Sequence, residues 1–359
     1  MRVFNFNGGP AALPTPVLER VAAETLDWNG TGMSIMENSH RAKEVVAMAE
    51  ETQADLLELL GLGADWKVLF CQGGASLQFA MIPLNFAQGA ECDYLDTGLW
   101  STKAYQEAQI CGAKPHIAAS SKGDDFTYIP SEFNYSKAPK YVYFTSNNTV
   151  RGTQWPTFPK KAPAPLISDM SSEFLSRPLD LTDFVLIHAG AQKNVGPAGL
   201  TIVLIKPEWA NTGAKGLPHL LDYRTYIEHD SMFNTPPVFA IYVAGLVFKW
   251  LKNDIGGLGN IQKLNAAKAK ALYEAIDQSG GFYQGTARKD SRSPMNVTFR
   301  LVNADLDKPF LEEAKKAGMV GLNGHRSVGG MRASLYNAVD MAAVKTLIDF
   351  MAEFQKKRG

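Results

Sequence analysis

Two residues of this sequence, Lys193 and Asp169, place an amine and a carboxylate where strand-like apolar runs end. Lys193 follows the run that starts at Val185, and Asp169 directly follows the run of residues 165–168. A lysine amine can form a Schiff base with an aldehyde cofactor, and a carboxylate can pair with a pyridinium nitrogen. The pair is therefore what a pyridoxal phosphate enzyme needs.

Position alone is also compatible with a solvated lysine at a strand end. The neighbours of Lys193 are small, however: residues 189–191 are Ala-Gly-Ala and residues 196–199 are Gly-Pro-Ala-Gly. Small residues leave room for a bulky ligand and let the backbone approach it. Burial would lower the pKa of the amine, as imine formation requires. Asp169 likewise has an alternative role, as the N-cap of a following helix.

A glycine-containing turn and a tryptophan could hold the rest of such a cofactor. Gln72-Gly-Gly-Ala-Ser-Leu-Gln-Phe79 follows an apolar run and opens a helical pattern, so the backbone N–H groups of Ala75 and Ser76 could bind phosphate. The segment is not GxGxxG and lacks the lysine of a P-loop, which disfavours dinucleotide and NTP sites. A tight turn alone explains its two glycines equally well. Trp100 could stack on a planar ring or serve the core.

Two His-Arg pairs offer positive charge for a substrate. They are His40-Arg41 and His325-Arg326, and the second precedes Gly329-Gly-Met-Arg332. The planar fork of arginine suits carboxylate and phosphate groups. Together with Arg332, the pairs indicate a cationic pocket for a doubly anionic substrate, while exposed arginines in turns are the alternative.

The elements that must position these residues are predicted from periodicity to form an α/β fold. A first helix is expected from a Thr15 cap, with Pro16 at its first helical position, to Trp28, and a second over residues 44–60. Seven short apolar runs follow, which predicts a largely parallel sheet buried on both faces. The gap between Ala189 and Leu200 is too short for a crossover helix, so the last two strands should be antiparallel. These strands are expected at residues 67–71, 92–96, 114–118, 141–145, 165–168, 184–187 and 200–205.

The rest of the sequence predicts a second, smaller α+β domain. After a very apolar helix over residues 239–252 and the pair Gly256-Gly257, helices and strands alternate to the end of the chain. We expect a large domain over residues 15–257 and a small domain made of residues 1–14 and 258–359. The chain length of 359 residues suits two domains.

Composition narrows the function classes. Lys plus Arg and Asp plus Glu are balanced at 36 each, with no basic run, which argues against nucleic-acid and membrane-surface partners. No run approaches the roughly 20 apolar residues of a membrane span, and the start of the chain has no apolar signal-peptide core. The three cysteines lack metal-ligand spacing and fit free thiols in a reducing compartment. We expect a cytoplasmic protein without a metal site.

With these residues assembled, the whole chain resembles the phosphoserine aminotransferases, a family in the class V group of fold-type I pyridoxal phosphate enzymes. The resemblance rests on long motifs: Asp27-Trp-Asn-Gly, Met36-Glu-Asn-Ser-His-Arg41, Val68-Leu-Phe-Cys71, Ala189-Gly-Ala-Gln-Lys-Asn194, Ser231-Met-Phe-Asn-Thr-Pro-Pro237 and Gly324-His-Arg-Ser-Val-Gly-Gly-Met-Arg-Ala-Ser334. It implies a large domain with a mostly parallel seven-stranded sheet and transamination between L-glutamate and 3-phosphohydroxypyruvate in serine biosynthesis. Bacterial members also transaminate the phosphohydroxythreonine precursor of pyridoxine, and the resemblance leaves that second activity open for this chain.

The resemblance also implies a role for each candidate residue. Lys193 would bind one pyridoxal 5′-phosphate per subunit and then carry a proton, with Asp169 on the pyridinium nitrogen. The other residues implied to bind the cofactor are Ala75, Ser76, Trp100, Thr149 and Gln192, with Asn234 and Thr235 from the second subunit of a homodimer. Arg332 would bind the substrate α-carboxylate. His325 and Arg326, with His40 and Arg41 of the second subunit, would bind the phosphate or the glutamate side chain. Gly8 departs from members that carry Ser there, so any contact at Gly8 must come from its backbone.

Other functions remain open at this point. Cysteine desulfurases also use an aspartate and a lysine to hold the cofactor, but they need a nucleophilic cysteine, usually in the C-terminal part. All three cysteines of this chain precede residue 112. An aminotransferase for unphosphorylated substrates such as alanine or glyoxylate would not need both His-Arg pairs. A non-catalytic cofactor- or nucleotide-binding protein would form no imine.

Overall fold

The computed structural model of the chain describes residues 2–359. The α-helices are α1 (Thr15–Ala23), α2 (Lys43–Leu60), α3 (Gly74–Phe86), α4 (Leu99–Ile110), α5 (Pro207–Ala210), α6 (Tyr223–Glu228), α7 (Val238–Lys249), α8 (Leu258–Asp277), α9 (Asp307–Lys316) and α10 (Met341–Arg358). The strands are β1 (Phe4–Asn5), β2 (Lys67–Cys71), β3 (Glu91–Asp96), β4 (Lys114–Ser120), β5 (Val142–Thr145), β6 (Asn147–Asn148), β7 (Thr153–Gln154), β8 (Leu166–Asp169), β9 (Phe184–Gly190), β10 (Thr201–Ile205), β11 (Tyr283–Gly285), β12 (Asn296–Leu301), β13 (Met319–Val320) and β14 (Met331–Ser334).

A seven-stranded sheet in the order β2-β10-β9-β8-β5-β3-β4 forms the centre of the molecule. Strand β10 is antiparallel to both of its neighbours, whereas the pairs β9–β8, β8–β5, β5–β3 and β3–β4 are parallel. The mostly parallel sheet and the antiparallel pairing of its last two strands in the sequence are both confirmed.

The sheet is buried on both faces, which explains why its strands read as continuous apolar runs. Side chains alternate between faces along a strand, so Phe70 and Leu204 belong to one apolar core while Leu69 and Val203 belong to the other. Helices α2 and α7 cover the first face, and α3 and α4 cover the second. The central strands are therefore held rigidly from above and below.

The carboxyl ends of β5, β8 and β9 lie side by side at one edge of the sheet. Asp169, the last residue of β8, pairs in register with Thr145 on one side and with His188 on the other. The short loop of residues 191–200 after β9 therefore begins beside Asp169 and carries Lys193. Open α/β sheets bind their ligands at this edge.

The C-terminal part packs around the three-stranded sheet β11-β12-β14. Helices α8, α9 and α10 cover it, and its apolar core joins Phe299, Phe310 and Phe354 with Phe6 from the start of the chain. This packing supports the division into a large part, 15–257, and a small part, 1–14 with 258–359, which stays a prediction; Met1 lies outside the described residues.

Two local predictions are wrong. Thr15 is the first residue of α1 rather than its cap, and α1 ends at Ala23, not at Trp28. The chain leaves helical geometry at Glu24, whose φ and ψ angles are −98° and 6°, and Asn29 further along adopts a left-handed backbone conformation. Trp28 lies in a loop, and its side chain is buried there. An apolar residue at this position fits the helical pattern without belonging to the helix. The parallel pairing of β1 with β13 was not predicted at all.

Candidate active site

The amine of Lys193 lies in the cleft beside the carboxyl ends of β5 and β8. Its Nζ donates a hydrogen bond to Thr149 Oγ1 at 2.6 Å and lies 5.8 Å from the centroid of the Trp100 ring. Loss of hydration lowers the pKa of Lys193 to about 8; the charge of Asp169 opposes this shift and that of Arg332 reinforces it. The amine is still mostly protonated at neutral pH, but its neutral, nucleophilic form is far more abundant than in an ordinary lysine with a pKa of 10.5.

Asp169 is held by the serine that follows it by two positions. Its Oδ1 accepts hydrogen bonds from the Ser171 backbone N–H at 2.9 Å and from Ser171 Oγ at 2.6 Å. Ser171 Oγ in turn accepts from the Gly190 N–H at 2.9 Å. One hydroxyl thus links the carboxylate at the end of β8 to the end of β9, from which Lys193 follows. The sequence analysis did not identify Ser171.

A buried His–Tyr pair adjoins Asp169 inside the sheet. His188 Nε2 and Tyr143 OH are 3.1 Å apart, and both side chains are fully buried. Burial lowers the pKa of His188, although the charge of Asp169 opposes this, so the imidazole is uncharged. A histidine within the apolar run of β9 was the signal that could have identified this pair.

The turn between β2 and α3 has the backbone of an anion-binding loop. Gly73 and Gly74 have φ angles of +84° and +65°, which side-chain-bearing residues rarely adopt. A Cβ atom on Gly73 would also lie 2.6 Å from the Leu77 side chain. Helix α3 begins at Gly74, so the N–H groups of Ala75 and Ser76 belong to its first turn, where they have no partner within the helix.

Trp100 lies in the first turn of α4 and faces the same cleft. Its indole Nε1 is buried and has no hydrogen-bond partner among residues 2–359. The ammonium group of Lys103, one helical turn later, lies 4.8 Å from the ring centroid. Two lysine ammonium groups therefore lie close to this ring, and Lys103 is a further residue that the sequence analysis missed.

Arg332 and Arg326 bring positive charge to the His325 imidazole in the C-terminal part. Arg332 Nη1 donates to the Thr149 carbonyl at 3.3 Å, which places the guanidinium next to the residue that binds Lys193. The pKa of His325 is lowered by burial and then by the nearby charges of Arg332, Arg326 and Lys103. Arg332 Nε is buried and unpaired in the described chain. An anion would satisfy this group.

The start of the chain closes the cleft. The Ala11 N–H donates to the Gln192 carbonyl at 2.9 Å, and Tyr336 OH donates to the Gly8 carbonyl at 3.1 Å. A Cβ atom at Gly8 would overlap the Arg332 guanidinium. Glycine therefore lets Arg332 lie against the backbone, and Tyr336 is a further residue that sequence reasoning missed.

Four predicted residues are not brought to this cleft. Across residues 2–359, no hydrogen bond or ion pair joins His40, Arg41, Asn234 or Thr235 to Lys193, Asp169 or Arg332. The one nearby link is from Gln72 Nε2 to the Thr235 carbonyl, at 3.2 Å. Thr235 therefore lies next to the phosphate turn; Arg41 and Thr235 are exposed, whereas His40 and Asn234 are half-buried.

The residues present fit pyridoxal phosphate. The cleft contains a lysine whose amine is partly neutral and a carboxylate that Ser171 holds in place. It also contains an aromatic ring with an unpaired buried N–H and a glycine turn suited to phosphate. The Lys193 amine could bond to the aldehyde, while Asp169 could pair with the ring nitrogen.

The chain matches known proteins along its full length. The family model described as aminotransferase class-V matches residues 3–347. A phosphoserine aminotransferase of Desulfosudis oleivorans is 52% identical over 359 residues, which cover all of this chain and 99% of the relative. A phosphoserine aminotransferase of Herpetosiphon aurantiacus is 50% identical over 363 residues and is covered completely, as is this chain.

Solved structures agree with this assignment. The phosphoserine aminotransferase from Bacillus circulans subsp. alkalophilus superposes with a TM-score of 0.97 at 49% identity, over 100% of this chain and 99% of that one. The pyridoxal phosphate-bound phosphoserine aminotransferase from Trichomonas vaginalis gives 0.93 at 39% identity, over 98% and 100%. The chain therefore belongs to the class-V aminotransferases and, within them, to the phosphoserine aminotransferase family, whose enzymes use pyridoxal phosphate.

Proposed function

We propose that this enzyme transfers the amino group of L-glutamate to 3-phosphohydroxypyruvate, giving O-phospho-L-serine and 2-oxoglutarate in serine biosynthesis. The observation that carries the proposal is the positive charge of Arg332 and Arg326, which act on His325 next to the Lys193 cleft. A substrate with a carboxylate and a phosphate neutralises this charge, and the relatives' names agree with that substrate.

The chain's own residues would hold the cofactor from four sides. Ala75, Ser76 and Gln192 would bind its phosphate, Trp100 would stack on its ring, Thr149 would contact the ring oxygen side and Asp169 would keep the pyridine nitrogen protonated. When bound, pyridoxal phosphate supplies an electron sink for the bonds at the amino-acid Cα. Ser171 supports the role of Asp169, because its N–H and hydroxyl both donate to Oδ1 and fix the orientation of the carboxylate.

Lys193 would both bond to the cofactor and move a proton at the substrate Cα. An amine with a pKa of about 8 can accept a proton and return it near neutral pH, which is what a general base and acid requires. Thr149 Oγ1, 2.6 Å from Nζ, keeps the released amine within the cleft. The small residues of the loop leave the amine room to turn from the cofactor to the substrate Cα.

Arg332 would bind the α-carboxylate and the His325-Arg326 pair would bind the phosphate or the glutamate side-chain carboxylate. Arginine forks suit both anions, and a buried, unpaired Nε on Arg332 within the described residues favours a bound carboxylate. The phosphohydroxythreonine intermediate of pyridoxine biosynthesis also carries a carboxylate and a phosphate, so we include it as a second substrate.

A homodimer would supply the residues that lie outside this cleft. His40, Arg41, Asn234 and Thr235 would reach the site of a second copy, His40 and Arg41 toward the substrate and the other two toward the cofactor phosphate. The exposed apolar side chains of Leu26, Met33, Met36 and Phe233 accompany these residues on the surface and support burial against another chain.

No helix in the described chain is long and apolar enough to cross a membrane. Cys71, Cys92 and Cys111 are free thiols. The cytoplasmic location stays a prediction that the free thiols support.

The proposed function is tested by adding single amino donors to the enzyme loaded with pyridoxal phosphate and recording the visible absorbance of the bound cofactor. Glutamate, O-phosphoserine and phosphohydroxythreonine should each bleach that absorbance, and alanine should not. A reaction with alanine as fast as with phosphoserine would favour an aminotransferase for unphosphorylated substrates. No reaction with any donor would contradict the proposal.

The pH dependence of cofactor attachment tests the role of Lys193. Only the neutral amine attacks an aldehyde, so a pKa of about 8 predicts that the attachment rate of the cofactor-free protein rises with pH and levels off above that value. An unshifted lysine, with a pKa near 10.5, would instead give a rate that continues to rise about tenfold per pH unit up to pH 10. Lys193→Ala is the control and should attach no cofactor.

Arg326→Ala tests the phosphate pocket. Loss of a charge-assisted hydrogen bond worth about 1.5–3 kcal/mol should lower kcat/KM for 3-phosphohydroxypyruvate by roughly 10- to 100-fold and leave the slow use of pyruvate unchanged. Arg288→Ala is the matched control, because Arg288 is an exposed arginine that pairs with Asp124 at 3.4 Å. An unchanged preference for the phosphorylated substrate in Arg326→Ala would remove Arg326 from the pocket.

A further inference from the structure

Two buried asparagines lie where the segments that carry the site residues meet. Asn194 directly follows Lys193, and Asn337 follows Arg332 on the segment that leaves β14. Both are buried, with 7% and 6% of their surface exposed. A buried amide needs partners for its oxygen and its NH₂ group, so the bonds of these two side chains show what they hold together.

The Asn194 amide bonds to two different segments. Its Oδ1 accepts from the Asn337 backbone N–H at 2.9 Å, and its Nδ2 donates to the Phe174 carbonyl at 2.6 Å. Phe174 lies on the segment that leaves β8 after Asp169. The residue next to the lysine is therefore bonded both to the arginine segment and to the aspartate segment.

The Asn337 side chain adds two hydrogen bonds to this contact, one to the segment that follows Asp169 and one to α8. Its Nδ2 donates to the Leu175 carbonyl at 2.8 Å, and its Oδ1 accepts from Asn265 Nδ2 on α8, also at 2.8 Å. Leu175 adopts a left-handed backbone with φ of +59°. Such a conformation at a non-glycine residue persists only where its surroundings impose it, and the bond to Asn337 is one of those surroundings.

We infer that Asn194 and Asn337 are positioning residues that hold Lys193, Asp169 and Arg332 in a fixed relative arrangement. Apolar packing at this junction would fill the same space, but it would not fix the direction of each backbone segment as paired amides do. The inference rests on the proposed function, since it assigns these residues to the geometry of that reaction. A displacement of about 1 Å between reacting groups can cost roughly 100-fold in rate.

The experiment compares Asn194→Ala and Asn337→Ala with a matched control, Asn85→Ala. Asn85 is also buried, and its Nδ2 donates to two carbonyls, of Met81 and Leu221, both at 2.7 Å. Its bonds join α3 to the segment before α6, away from the cleft. All three variants should therefore lose thermal stability, so a lower unfolding temperature by itself does not identify a positioning role.

Two measurements on the holoenzyme separate positioning from stability: the bleaching rate with saturating glutamate, and the pH midpoint of the visible absorbance of the cofactor bound to Lys193. Asn194→Ala should slow bleaching by about tenfold or more and shift the midpoint by about half a unit or more. Asn337→Ala keeps its backbone N–H for Asn194, so its effects should be smaller but in the same direction. Asn85→Ala should match the wild type in both.

The inference is overturned if Asn194→Ala matches Asn85→Ala in both measurements. If Asn194→Ala does not fold, the comparison of Asn337→Ala with Asn85→Ala decides in the same way. A wild-type enzyme that fails to react with glutamate and phosphoserine would instead contradict the proposed function, and the pH midpoints of the variants would still decide the inference.

Discussion

The structure depends on a lysine amine that is kept out of bulk water beside a carboxylate. Desolvation lowers the pKa of Lys193 to about 8, and the charge of Asp169 limits that shift. Both residues must reach the same cleft for this balance to exist. The parallel pairing of β8 with β9 achieves that, because the two strands end at one edge of the sheet and the chain turns back at once into β10. The antiparallel turn leaves the lysine on a short, tightly held loop.

The charges around that amine are arranged for an anionic ligand rather than for stability. Burial lowers the pKa of His325, and the charges of Arg332, Arg326 and Lys103 lower it further, so a protonated His325 is disfavoured among these cations. Asp169 is a buried carboxylate of the cleft, and its Oδ1 accepts hydrogen bonds from the N–H and the hydroxyl of Ser171. A cluster of this kind costs folding free energy that a bound dianion would recover. The positive charge of the pocket is thus complementary to the negative charge of the proposed substrate.

The sequence predicted those features that depend on local patterns. Strands buried on both faces read as apolar runs, and the short gap before Leu200 predicted the antiparallel turn, so the sheet and the place of Lys193 and Asp169 within it could be expected. The end of α1 could not, because a buried Trp28 looks alike in a helix and in a loop. The sequence did not predict the roles of Ser171, Tyr336 or the His188–Tyr143 pair. These roles arise from the register between strands or from contacts between the two parts of the chain. No local pattern encodes such contacts.

The central claim, that Lys193 is the residue that bonds to the cofactor, is tested most directly by trapping the bond. The enzyme loaded with pyridoxal phosphate is reduced with borohydride, which makes the linkage permanent, and its peptides are then mapped by mass spectrometry. Our account predicts the cofactor on the peptide that contains Lys193 and on no other peptide. A label on a different lysine, or a protein that carries no label after reduction, would contradict it.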